Sequence, residues 1–223
     1  MKKYYKFEIE MISSTILSFI LLLSVFLSPY MFEKFDFKML AWGFIIIIPW
    51  LFLHELLHGI AYYLTGTKLE NITIGVALEK GVFYCLTKQE TTKKGVCISL
   101  LTPFFVIGVV TYIISLVFNL PLLWFLSIMN ISGASADLLM FIYISTIKGD
   151  VKYKELDDPT TFALITDVDL SKKLPLGVKL KKEGEYPSKE LDIKDHRHFI
   201  ISKPSIPISI IYIIIVILGV IVL

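Results

Sequence analysis

Five apolar blocks dominate the chain, at residues 11–31, 39–65, 97–118, 120–147 and 205–223. Each approaches or exceeds the roughly 20 residues that an apolar helix needs to cross a bilayer. The hydrophobic fraction of 55% lies above the roughly 45–50% usual for soluble domains, and these blocks hold the excess. The pattern predicts an all-α polytopic membrane protein with about five transmembrane helices. The first block carries no charge and no small-residue cleavage site, so it reads as a retained span rather than a signal peptide. Asn119–Pro121 is a minimal break, which predicts a tight hairpin between the third and fourth spans.

Lysine and arginine orient the spans. Of the 22 such residues, 20 fall in segments 1–10, 66–96 and 148–204. Basic loops stay on the cytoplasmic side. The expected topology is therefore N-in, C-out, with the lipid bilayer as one partner. A net charge of +2 gives no broad basic patch, so no nucleic-acid partner is expected. Cys85 and Cys97 are the only cysteines and form no CxxC pair, which argues against a disulfide framework or a cysteine-ligated zinc.

Two inner segments predict structure of their own. ITIGVAL and GVFYCLT flank Glu79-Lys80, and both are rich in β-branched and aromatic residues, so a small β-hairpin is expected over 72–87. Residues 148–204 read as a small cytoplasmic α/β segment. The expected division is a membrane core over 1–147, that segment, and a C-terminal transmembrane helix over 205–223.

Inside the second block lies HELLH, residues 54–58. Positions i and i+4 share a helix face, so His54 and His58 point the same way, one turn apart. Two imidazoles so spaced can hold one zinc ion, with Glu55 beside it as general base for an attacking water. A charge at the bilayer centre costs about 3 kcal/mol on insertion scales, so an unpaired His-Glu-His set there would be expensive.

A catalytic zinc takes three protein ligands and keeps one open position. His196 and His198 lie far away in sequence, in the DHRHF stretch. Asp137 is the lone charge of the fourth block, and it stands only about 4–5 Å from the depth of His58 when each is counted from the inner end of its span. With both imidazoles neutral, Asp137, Glu55 and a divalent ion sum to zero charge. The expected metal set is His54, His58 and Asp137, with one Zn²⁺ per chain.

The small residues Gly133, Ala134, Ser135 and Ala136 precede Asp137 and suit close helix packing, as does Gly59 beside His58. Asn130, seven residues before Asp137, suits a donor to substrate or a support for a ligand, and equally an interhelical hydrogen bond. Tyr62 continues the face of His54 and His58, as an oxyanion donor or an interface anchor. Pro49 and Pro103 are candidate kinks.

HELLHG in one span, with a later intramembrane aspartate after small residues, resembles the site-2 type of intramembrane zinc metalloprotease. The aspartate stands in Ala136-Asp137-Leu138 rather than before a glycine, which is closer to the bacterial membrane proteins known as the "putative zincin peptidase" group. The resemblance covers about residues 40–147. It implies zinc ligation by His54, His58 and Asp137, Glu55 as catalytic base, a membrane-protein or peptide substrate, and a place in the bacterial cytoplasmic membrane. It also implies that strands near the site hold the substrate. Two other classes compete: a non-catalytic metal-binding regulator, and a small transporter-like protein with a His/Glu/Asp relay.

Overall fold

The computed structural model describes residues 2–23, 28–78, 82–156, 158, 160–171, 177–188, 191 and 199–201. The fold is mixed α/β, which corrects the all-α expectation. The N-terminal segment forms strand β1 (Lys3–Ile9), followed by α1 (Met11–Leu22), α2 (Pro29–Lys34) and the long α3 (Phe37–Leu64). Strands β2 (Ile72–Ala77), β3 (Val82–Thr87) and the short β4 (Thr91–Thr92) come next. Helix α4 (Lys93–Pro103) runs through a π turn at Phe104–Val110 into α5 (Thr111–Phe118). Then follow α6 (Pro121–Gly133), α7 (Ser135–Thr146), and strands β5 (Val151–Glu155), β6 (Thr161–Thr166), β7 (Val178–Glu185) and β8 (Phe199–Ile201).

The strands form two sheets. One has five strands in the order β4-β5-β6-β1-β7, and the other has three in the order β3-β2-β8. β2 and β3 pair antiparallel from Ile72↔Thr87 to Ala77↔Val82, on the two runs legible as a hairpin. The five-stranded sheet was not legible. One of its interior strands, between β6 and β7, is the N-terminal segment, which the charge count treats only as a cytoplasmic-side segment. In KYYKFEI the residues alternate between faces, as a strand buried on both sides requires. Tyr5 and Phe7 pack on Val96 and Leu100 of α4 and on Met140, Tyr143 and Ile144 of α7. Tyr4 turns to the other face, with Ala163, Ile165 and Leu191.

The span count falls for related reasons. Apolar length alone cannot separate one helix from two. Among the described residues, the first block holds α1, whose 12 residues reach about 18 Å, and the start of the six-residue α2. The fourth block is α6 and α7, bent by 46°. Among the described residues, two helices are long and apolar enough to cross a membrane, Phe37–Leu64 and Lys93–Phe118, or three if the bent pair is one span. The block 205–223 lies outside the described residues, as do His196 and His198.

Local signals set the helix ends. Asp36 caps α3 by accepting from the Met39 N–H at 2.8 Å, and Thr92 caps α4 by accepting from Gly95 at 3.1 Å. Asn119 takes the left-handed conformation, φ 57°, that closes α5 before Pro121 opens α6. Helices α3, α4, α6 and α7 then pack together, with the five-stranded sheet across the faces of α4 and α7 and the hairpin against α3. The functional candidates lie where these pieces meet.

Candidate metal centre

His54 and His58 lie one turn apart on α3, both buried, with ring centroids 4.9 Å apart. Asp137 enters from the first turn of α7. His54 Nε2 is 3.1 Å from His58 Nε2 and 3.1 Å from Asp137 Oδ2, and His58 Nε2 is 3.4 Å from the same oxygen.

The far side of each ring fixes its tautomer. His58 Nδ1 is 2.9 Å from the Ser99 carbonyl oxygen, which only accepts, so Nδ1 carries the proton. His54 Nδ1 is 2.8 Å from Asn130 Oδ1. The Asn130 amide nitrogen donates to the Pro103 carbonyl at 3.1 Å, which turns its oxygen toward His54. His54 Nδ1 therefore donates as well. Each neutral ring is left with its Nε2 lone pair facing the other ring and a carboxylate oxygen.

Three acceptor atoms that converge in this way suit a cation between them. Tetrahedral zinc with bonds of about 2.0–2.2 Å has ligand–ligand edges of about 3.3–3.6 Å. The observed triangle is close to that size, and the imidazole and carboxylate donors are ones that zinc accepts. The residues fit the metal. His54, Glu55 and His58 also group together, with their ligand atoms within 4.8 Å of one another. That spacing is loose for a ligand edge, so Asp137 suits the third position better. Glu55 lies at the margin, its carboxylate held by the backbone N–H of Cys85 on β3.

Pro103 is the hub of the supporting network. In a helix the Ser99 carbonyl would accept from the N–H four residues on, but that residue is Pro103, which has none. The carbonyl is left for His58, and the Ser99 hydroxyl donates back to the His58 carbonyl at 3.2 Å. Pro103's own carbonyl, at the start of the π turn, holds Asn130. Gly108 keeps the π turn close: a Cβ there would lie 3.3 Å from Asn130 Nδ2 and 3.0 Å from Ile131. Partners of this kind typically change metal affinity 10–100-fold. Pro103→Ala restores the competing N–H and is expected to weaken zinc binding by about 10–100-fold, read by competition with a chelating dye.

Tyr62, one turn beyond His58, is buried, and its hydroxyl donates to Glu155 Oε1 at 2.8 Å. Glu155, on β5, also accepts from the Thr87 backbone N–H of β3 and from the Tyr153 hydroxyl at 3.4 Å. The carboxylate thus joins α3 to both sheets. It lines one cavity of about 280 Å³ together with His54, Glu55, His58, Tyr62 and Asp137.

Sequence reasoning missed Glu155, Ser99 and the role of Pro103. The first lies in a stretch read as a separate segment. The second acts through its backbone. The third had a legible signal, a proline four residues after a serine.

Burial pushes the Glu155 carboxyl up to about 7 from its ordinary 4.5, against the hydrogen bonds from Tyr62, the Thr87 N–H and Tyr153 that pull it down. Between about pH 4.5 and 7 the folded chain therefore holds a proton that the unfolded chain has released. Stability then falls as pH rises through that window, by about 3 kcal/mol in all. The Glu155→Gln chain is expected to lose that slope when the unfolding midpoint is followed across pH.

A family model described as "Putative zincin peptidase" matches residues 46–151. No curated protein and no solved structure matches the chain. The matched stretch holds His54, Glu55, His58, Ser99, Asn130 and Asp137, and leaves β1 and Glu155 outside. Over this stretch, which carries the whole candidate metal centre, the chain is similar to zincin-type metallopeptidases, and that likeness implies a metal, typically zinc.

Proposed function

We propose that the protein is a zinc-dependent endopeptidase of the membrane that hydrolyses peptide bonds of membrane-associated substrates near the cytoplasmic side. The observation that carries this reading is the triangle of His54 Nε2, His58 Nε2 and Asp137 Oδ2, with edges of 3.1, 3.1 and 3.4 Å and Glu55 beside it.

His54, His58 and Asp137 would hold the ion. Bound zinc acidifies a water molecule and polarises a carbonyl. Glu55 takes the proton of the attacking water as the new C–O bond forms. It then delivers that proton to the amide nitrogen as the C–N bond breaks. Asn130 and the Ser99 carbonyl keep the two imidazoles in the tautomer that offers Nε2.

The substrate has a natural seat. Strand β3 is an edge of its sheet among the described residues, and its outward N–H groups at Cys85 and Thr87 reach Glu55 and Glu155. An extended peptide can pair with such an edge by replacing the two carboxylates at these N–H groups, which requires a helical substrate to unwind locally. Membrane placement is supported by the two long apolar helices, which bury few of their residues and leave large apolar side chains such as Phe44, Phe52, Ile60, Phe105 and Ile113 exposed. Large contiguous apolar surfaces of this kind are rare on soluble monomers. The lysine-rich segments contribute β1, β4 and β5 to β7 to one sheet, and basic segments favour the cytoplasmic face.

The test is direct. The full chain purified in detergent is expected to carry one zinc per chain by elemental analysis. It should cleave members of a library of membrane-anchored peptides, with activity lost to a chelator and restored by zinc. A chain that copurifies with no metal and takes up none would sink the proposal and favour a proton relay.

A further inference from the structure

A second cavity, of about 170 Å³, opens on the other side of the HELLH turn. Its walls are Ile47, Trp50 and Leu51 of α3, Phe83 of β3, and Met129 and Gly133 of α6, with Asn130, His54 and Glu55 completing the lining. Four residues, His54, Glu55, Phe83 and Gly133, line this cavity and the larger one alike. The two spaces therefore share a wall at Glu55, beside which a scissile bond would lie under the proposed chemistry. We infer that the smaller cavity is a specificity pocket that takes an aromatic or long aliphatic side chain from the residue next to the scissile bond, and that Gly133 keeps its mouth open. The inference rests on the peptidase reading and adds a substrate class to it.

Size and chemistry both point to that occupant. An apolar cavity of about 150 Å³ in another protein binds benzene and stays free of water, so a ring fits this one. Ile47, Leu51, Phe83 and Met129 offer no partner for a charge, and burying an unpaired charge is costly. Among the described residues Glu55 is the only acidic one in the lining, and a basic side chain paired with it would occupy the base that the reaction needs.

Gly133 is the position that sets access. It ends α6 just before the chain bends by 46° into α7. A Cβ built there meets no atom within 4 Å, and its φ lies outside the range that favours glycine. Neither crowding by protein nor backbone geometry requires a glycine here. Among the described residues, the missing side chain leaves open space at a position that lines both cavities.

The test uses small hydroxamates, which chelate zinc, bearing either a benzyl or a methyl side chain. Affinity is measured for the full chain in detergent, with metal content read on the same samples. Wild type is expected to bind the benzyl compound at least about tenfold more tightly, given what one or two methylenes contribute in a fitted pocket. In Gly133→Leu the ratio should fall to about one. Ile47→Phe narrows the cavity from the opposite wall and should lower the ratio too, which keeps the test alive if one variant fails to fold. Equal affinities in wild type, or a ratio unmoved in folded variants that retain metal, would overturn the pocket while leaving the peptidase reading intact. If neither compound binds the zinc-loaded chain, the peptidase reading falls and the pocket with it.

Discussion

Glu55→Gln is expected to keep its zinc and to lose peptide cleavage, with kcat down by roughly 10²–10⁴-fold, the range that a positioned acid–base group contributes. The carboxylate stands outside the tight triangle formed by His54, His58 and Asp137, so its removal should not empty the site. Glutamine keeps the size of the side chain and an oxygen that can still accept from the Cys85 N–H. What it cannot do is take a proton from water. The variant therefore separates holding the metal from using it. Full activity in Glu55→Gln would remove the residue from the mechanism. Loss of zinc would make it a ligand instead.

The second large effect concerns Asp137. Asp137→Ala, like His54→Ala, is expected to weaken zinc binding by more than about 100-fold, beyond the range seen for outer-shell partners. The reasoning is geometric. Asp137 Oδ2 closes a triangle with both imidazole nitrogens, and deleting it leaves two ligands of the three that a catalytic zinc needs. The alternative grouping of His54, Glu55 and His58 makes the opposite forecast. Under it, Asp137→Ala keeps stoichiometric metal and Glu55→Ala loses it. Elemental analysis of the variants side by side decides between the two, with Pro103→Ala as the intermediate case.

Much of the site could be read from the sequence because it depends on short-range periodicity. The spacing in HELLH fixes the face of two histidines, and a lone aspartate among small residues marks a helix interface. Asn130 was open between a substrate donor, a ligand support and an interhelical bond. Here its oxygen faces His54 and its nitrogen holds Pro103, so it lies between helices and against a ligand candidate at once. Tyr62 could not be resolved from spacing, because its hydroxyl goes to Glu155, 93 residues away.

The fold was less legible for the same physical reason. Strand pairing between β1 and β6 joins residues such as Lys3 and Thr166, and no local pattern announces such a partner. Hydropathy reports how long a stretch is apolar. It does not report whether the stretch is one rod or, as in 120–147, two helices meeting at an angle.

The place of β1 in its sheet has a consequence for the order in which the molecule is made. Strand β1 lies between β6 and β7, which are translated more than 150 residues after it. At roughly 5–20 residues per second, the strand waits about 10–30 s for its neighbours. Meanwhile α3, α4, α6 and α7 are already complete, and with them the groups that converge on the metal. Glu155 and the back wall of the larger cavity arrive only with the late strands. A nascent chain can thus assemble its ligand set well before it has a closed cleft to use it in.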